Sequence, residues 1–191
     1  QLHLTFLQRG LNRSANSDNP RDDAKDLVEA VGVVQSEIKR LSALVTDFLN
    51  FARPRGLNRV VTDVKDVCIH SAKLVEAKAT LVLDLPKGAL EADIDAAMIE
   101  QVLLNLLHNA IDAVSASQGT VVLRARRQPL TITLSVHDDG PGIADPDEPI
   151  FDAFYSTKAH GTGLGLAIVH RIVTDHDGTV DVVSKPGSTT F

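Results

Sequence analysis

The chain has 191 residues, 43% of them apolar and 23% charged, with a formal charge of −6, values ordinary for a folded protein with a sizeable core. The acidic balance argues against a generic nucleic-acid binder, which needs a basic face for phosphates. The single cysteine, Cys68, cannot form an internal disulfide and has no partners at zinc spacing, in keeping with a reducing, cytoplasmic setting.

No apolar run approaches the ~20 residues that span a bilayer, and no cleavable signal pattern opens the chain. No membrane contact is therefore expected of this stretch. Gln1 begins inside an apolar periodic pattern and Phe191 stops inside strand-like sequence. Both ends read as cut, which is compatible with a larger, membrane-anchored parent.

Leu4, Leu7 and Leu11 fall at helical spacing, and Ala15 to Pro20 supplies turn chemistry. Then Leu27, Val31, Val34, Ile38, Leu41, Val45 and Phe48 follow with alternating steps of four and three, a heptad seam. The pattern predicts a helix from Asp22 to Ala52, about 45 Å long and stopped by Pro54. Leu44, Leu49 and Phe51 lie off the seam, so one short neighbour cannot cover it. A helical hairpin over 1–53 that pairs with a second copy into a four-helix bundle would cover both faces; packing on the chain's own globular domain is the alternative.

Residues 54–57 read as a hinge, and the pattern changes beyond it. Asn58 to Thr62 is a possible strand, Val64 to Ala77 a helix, and Ala79 to Leu85 an alternating strand closed by Pro86. After the capping candidate Asp95, the residues Ile99, Val102, Leu103, Leu106, Leu107, Ala110 and Val114 outline an amphipathic helix. Thr120 to Arg126 and Leu130 to Val136 read as a hairpin. A helix over Gly163 to Asp175 and a last hairpin, Thr179 to Ser184 with Ser188 to Phe191, complete the chain. This order predicts an α+β fold: a two-layer sandwich over 58–191 with a mixed, largely antiparallel sheet under helices, preceded by the α-helical hairpin.

Three stretches carry candidate chemistry. Gln101, Asn105, Asn109 and Asp112 recur at spacings of four, four and three, so they share one face of a leucine-rich helix. Asparagine is a mediocre helix former. Its amide oxygen is a hard ligand suited to Mg²⁺, although the same pattern also describes the wet face of a helix. Second, Asp138 closes a strand and enters Gly140-Pro141-Gly142-Ile143. A carboxylate there can accept from an exocyclic amine such as adenine's, and Asp before Gly is also ordinary turn chemistry. Third, Gly161-Thr162-Gly163-Leu164-Gly165-Leu166 opens a helix, where consecutive amides attract phosphate. The spacing fits neither a Rossmann fingerprint nor a P-loop. Lys158, between the clusters, can reach a terminal phosphate or stand in solvent.

Taken in order, these stretches resemble the ATP-binding domain of sensor histidine kinases within the gyrase, heat-shock-90 and mismatch-repair ATPase superfamily. Gln101 to Ala110 is similar to that family's N box, Asp138 to Ile143 to its G1 box, Phe151-Asp-Ala-Phe154 to its F box and Gly161 to Leu166 to its G2 box. Gly187 to Phe191 resembles the terminal strand, and Asp47 to Pro54 the end of the dimerisation helix.

The resemblance implies an ATP site with Mg²⁺. Asn109 would bind the metal, and Asn105 would help hold metal and phosphates. Asp138 would recognise the adenine amine, with Gly140, Gly142 and Ile143 forming the approach and Thr189 in support. Gly161, Thr162, Gly163, Leu164, Gly165 and Leu166 would line the phosphates, Lys158 would neutralise the terminal one, and Phe151 and Phe154 would anchor a lid. Asn105 and Lys158 are thus the implied catalytic groups.

Two departures qualify this. Hydrolysing members of the superfamily have a glutamate in the place of Asn105, and an amide cannot act as a base, so transfer is implied rather than hydrolysis. The family's phosphoacceptor motif, His-Glu/Asp-x-x-Asn/Thr-Pro, is not in the sequence; His3 is followed by Leu4-Thr5-Phe6-Leu7, and the motif is expected just before Gln1. The expectation is the catalytic core of a sensor histidine kinase. It binds ATP without autophosphorylating, dimerises through the hairpin and serves a parent that relays phosphate to a response-regulator receiver domain. Rival readings are a superfamily ATPase clamp, an anti-sigma-type serine kinase and a non-catalytic dimeric scaffold.

Overall fold

The computed structural model describes residues 28, 31–38, 41–42, 45, 56–75, 79–115, 119–143, 145, 148–158 and 161–191. The chain divides into two units, 1–50 and 51–191. In the first, all the described residues are helical. Its described seam side chains are open to solvent: Val31 is 48% exposed, Ile38 57%, Leu41 53% and Val45 57%. The expected helix over 2–11, the turn over 15–20, the ends of the long helix and Pro54 lie outside the described residues.

The second unit begins with strand β1 (Val60–Asp63), which pairs antiparallel with β3 (Glu91–Ile94) as a two-stranded ribbon. The sequence reading places a strand at 58–62 and none at 91–94. Helix α1 (Val64–Leu74) follows at once, because Asp63 caps it: its Oδ1 accepts from the Lys65 N–H at 3.0 Å and from the Leu90 N–H at 3.1 Å. The helix stops at Leu74, short of the expected Ala77.

Strand β2 (Thr80–Asp84), helix α2 (Ala96–Val114), strands β4 (Thr120–Arg127) and β5 (Ile132–Asp138), helix α3 (Gly165–Asp175) and strands β6 (Val183–Lys185) and β7 (Ser188–Thr190) complete the unit. Asp95 caps α2 as its sequence position suggests, accepting from the Met98 N–H at 3.2 Å. The main sheet has the order β2-β4-β5-β7-β6, with β2 parallel to β4 and every other pair antiparallel. This is the expected mixed, largely antiparallel α+β sandwich. The β2–β4 pair is not a hairpin, since α2 makes the crossover between them.

Helices cover one face of this sheet. On β4, the alternate residues Val121, Leu123 and Ala125 are fully buried, the period-two signature of a half-covered sheet. They meet Leu103 and Leu107 of α2 and Val169 of α3, all at 0% exposure in the same core. Among the described residues no helix is long and apolar enough to cross a membrane.

At the end of the helices away from the glycine clusters, side chains tie the unit together. The His176 Nε2 accepts from the Asp95 N–H at 3.1 Å while its Nδ1 lies 2.8 Å from the Ile172 carbonyl, a pairing that requires the neutral Nδ1–H tautomer. Arg59 donates to the Asp175 carbonyl at 2.7 Å and to Asp177 at 2.8 Å. The C-terminus of α3 is thereby fixed to the N-terminus of α2 and to the entry of the unit.

Candidate nucleotide site

The face of α2 that carries Asn105 and Asn109 is not its wet side. Both are half-buried, whereas His108 and Asp112 are exposed. Three chain segments meet this face in succession. A Cβ added at Gly165, the first residue of α3, would lie 3.0 Å from Asn105 Oδ1. Lys158 donates to Asn109 Oδ1 at 3.3 Å and to Asp112 Oδ2 at 2.8 Å. A Cβ at Gly140 would lie 3.0 Å from the Ala113 side chain. Successive turns of one helix therefore receive the second glycine cluster, the intervening lysine and the first glycine cluster.

Asn105 Nδ2 donates to the Gln101 carbonyl at 2.9 Å, which leaves the amide oxygen directed at the start of α3. That helix start has no side-chain cap, and Leu164, at its N-cap, is fully buried. The N–H groups of its first turn have no intrahelical acceptors. Thr162 Oγ1 accepts from the Leu164 N–H at 3.4 Å, and Leu166 is half-buried just inside the helix. The helix expected from Gly163 starts instead at Gly165, because Gly163 takes φ +68° and turns the chain.

The loop from Phe151 to Gly163 is held by its backbone. Phe154 donates its N–H to the Gly163 carbonyl at 2.8 Å, and both residues have positive φ, +69° and +68°. Phe151 packs 5.8 Å from the ring of His170 and 6.4 Å, edge-on, from Phe191. The Phe154 side chain is 64% exposed, so this residue joins the loop through its main chain only. Gly161 donates to the Lys158 carbonyl at 3.1 Å, closing a tight turn around Ser156.

Asp138 ends β5 and is 3% exposed. Burial pushes its carboxyl above the ordinary value, against the Gly140 N–H that donates to Oδ1 at 3.0 Å. Thr189, 5% exposed, is its cross-strand neighbour on β7. Thr189 Oγ1 lies 3.0 Å from Ser184 Oγ, which accepts from the Ile143 N–H at 2.8 Å. Gly142 has φ +84°, and a Cβ there would fall 2.6 Å from the Lys185 carbonyl oxygen. Only glycine lets the turn lie this close to the β6–β7 hairpin. Ser184, Lys185 and Gly187, whose N–H reaches the Gly140 carbonyl at 3.0 Å, have no place in the sequence reading of the site. No sequence signal pointed to them, since their role depends on hairpin register.

The donor set fits a hard divalent cation beside phosphates. Asn109 Oδ1 already faces a cation, the Lys158 ammonium, and Asn105 Oδ1 lies a helical turn away. Among the described residues no cluster of three His, Cys, Asp or Glu side chains forms a metal site of its own. Any metal here would thus draw on amide oxygens and on a ligand's oxygens.

A buried carboxylate at a glycine turn, an asparagine-bearing helix face and an uncapped glycine-rich helix start define a nucleotide-binding α/β sandwich. Residues 94–191 match the family described as Histidine kinase-, DNA gyrase B-, and HSP90-like ATPase, and the chain belongs to that family. It is 36% identical over 194 residues to the C4-dicarboxylate transport sensor protein DctB of Rhizobium meliloti (strain 1021), covering 98% of this chain and 29% of that protein. The sensor histidine kinase ZraS of Escherichia coli (strain K12) is 38% identical over 165 residues, 81% of this chain and 34% of that one. The chain thus spans about a third of the length of these curated relatives. Among solved structures, Acinetobacter baumannii histidine kinase AdeS superposes with a TM-score of 0.62 at 29% identity, covering 99% of this chain and 92% of that one. Full-length ShkA in complex with AMPPNP gives a TM-score of 0.70 at 27% identity, covering 99% of this chain and 43% of that one.

Proposed function

We propose that the chain is the ATP-binding catalytic core of a two-component sensor histidine kinase, and that its parent transfers the γ-phosphoryl of ATP to a histidine and then to a response-regulator aspartate. The observation that carries this reading is the convergence of Gly165, Lys158 and Gly140 on consecutive turns of α2. The curated relatives named as sensor histidine kinases and the AMPPNP complex of ShkA support it.

In this reading Asp138 accepts the adenine amine, with Thr189, Ser184 and Ile143 as its hydrogen-bonded floor and Gly140 and Gly142 bringing backbone close to the base. The amides from Gly161 to Leu166 receive phosphate oxygens at the positive end of α3. Asn109 and Asn105 hold Mg²⁺, which supplies charge neutralisation on the phosphates. Lys158 neutralises the terminal phosphoryl. Catalysis of this type is positioning and charge stabilisation. Asn105 is an amide and cannot deprotonate water, which favours transfer to another group over hydrolysis.

The exposed seam of Val31, Ile38, Leu41 and Val45 supports a homodimer in which a second copy covers it. Localisation is proposed as cytoplasmic, with the parent free to carry a membrane anchor. Calorimetry with a non-hydrolysable ATP analogue tests the site: the wild type binds in the presence of Mg²⁺, and Asn109→Ala removes the Mg²⁺-dependent part. Equal affinity with and without Mg²⁺ in the wild type would sink the metal assignment, and no binding at all the nucleotide one.

A further inference from the structure

Lys158 lies between the two glycine clusters, yet its ammonium is already engaged on α2. It bridges Asp112 Oδ2 at 2.8 Å and Asn109 Oδ1 at 3.3 Å, two acceptors nearly one helical turn apart. The contact joins the lysine assigned to the terminal phosphate and the amide oxygen assigned to the metal. Asp112 supplies the charge that holds it there, because a carboxylate attracts an ammonium far more strongly than an amide does. The two side chains are 46% and 64% exposed, so the pair adds little to fold stability. Its consequence lies in where it places Lys158.

We propose that Asp112 is a positioning residue that latches Lys158 onto the Asn109 oxygen in the nucleotide-free protein, so that Mg²⁺-nucleotide and Asp112 compete for one lysine. The inference rests on the nucleotide reading above. Binding exchanges one cation for another at Asn109: Lys158 leaves for the phosphates, and the amide oxygen opens to the metal. The turn that carries Lys158, tied by Gly161 and Ser156, moves with it. Nucleotide affinity is thereby held below what the phosphate contacts alone would give.

The test is a cycle of Asp112→Asn and Lys158→Met in the whole chain, read by calorimetry with an ATP analogue and Mg²⁺. With Lys158 present, Asp112→Asn tightens binding about two- to fivefold, the range set by an exposed ion pair. With Met at 158 the same change leaves affinity unaltered, and Asp112→Glu, which keeps the carboxylate, stays near wild type. Equal tightening in both backgrounds means that Asp112 acts directly on the phosphates, and weaker binding means that it holds Lys158 in the binding pose; either overturns the latch. A second readout needs no nucleotide: tryptic cleavage after Lys158 accelerates in Asp112→Asn. An unchanged cleavage rate overturns the latch while leaving the nucleotide site standing. Failure of the wild type to bind the analogue overturns the nucleotide reading and the competition together.

Discussion

Gly163→Ala isolates the clasp between the loop and the start of α3. Gly163 has φ +68°, and a Cβ there would come within 2.7 Å of the Phe154 Cα and carbonyl oxygen. Holding an L-residue in this region costs roughly 1–2 kcal/mol. The overlap involves main-chain atoms, so no flexible side-chain end can yield. Relief requires the two backbones to part, which breaks the 2.8 Å hydrogen bond from the Phe154 N–H to the Gly163 carbonyl and loses about 0.5–1.5 kcal/mol more. The sum, about 2–3 kcal/mol, should appear as a lower urea midpoint at unchanged slope. Phe154→Gly is the converse test, because Phe154 has φ +69° with its side chain 64% exposed. Releasing a non-glycine residue from that region should offset the added entropy of the unfolded chain, leaving stability equal to wild type or up to about 1 kcal/mol higher. A Gly163→Ala protein within about 0.5 kcal/mol of wild type, or a strongly destabilised Phe154→Gly protein, would refute the clasp.

Hydrogen bonds from Arg126 and Arg124 hold the Asp84 carboxyl at about 2, below the ordinary 3.8. A folded value below the unfolded one contributes stability above 3.8 that is lost as pH falls through about 2. Melting temperatures of wild type and Asp84→Asn should therefore differ at neutral pH and converge across that window; a constant gap would contradict the assignment. Asp138 has the opposite sign, since burial raises its carboxyl. The folded state is penalised as pH rises through the raised value. Asp138→Asn should raise the melting temperature of the empty protein at neutral pH while weakening ATP binding, and a simultaneous loss of both would mean that the carboxylate serves the fold.

Where function followed from local rules, the sequence was sufficient. Helical periodicity alone brings Asn105, Asn109 and Asp112 to one face, and Asp95 announces the start of α2 by capping chemistry. The glycine clusters mark the turns that need positive φ at Gly142 and Gly163. The four-residue strand β3 was too short to show a period, and the parallel β2–β4 pair needs tertiary information. Contacts between residues remote in sequence were equally hidden: Lys158 with Asp112, 46 residues apart, and His176 with Asp95, 81 apart. Ser184 became a site residue only through the register that sets it beside Thr189. Asp112 stood on the right face in the sequence, but nothing there gave it a partner.

The central claim is that Asp138 reads an exocyclic amine in an adenine nucleotide pocket. It is tested most directly by the affinity of the wild-type chain for an ATP analogue against the matching GTP analogue, measured with Mg²⁺ under the same conditions. Guanine presents a carbonyl oxygen where adenine presents its amine, which sets acceptor against acceptor inside a pocket whose carboxylate is 3% exposed. Preference for ATP by about a hundredfold or more is predicted, since a buried polar group left unpaired discriminates strongly. Equal affinity for the two nucleotides would contradict the account.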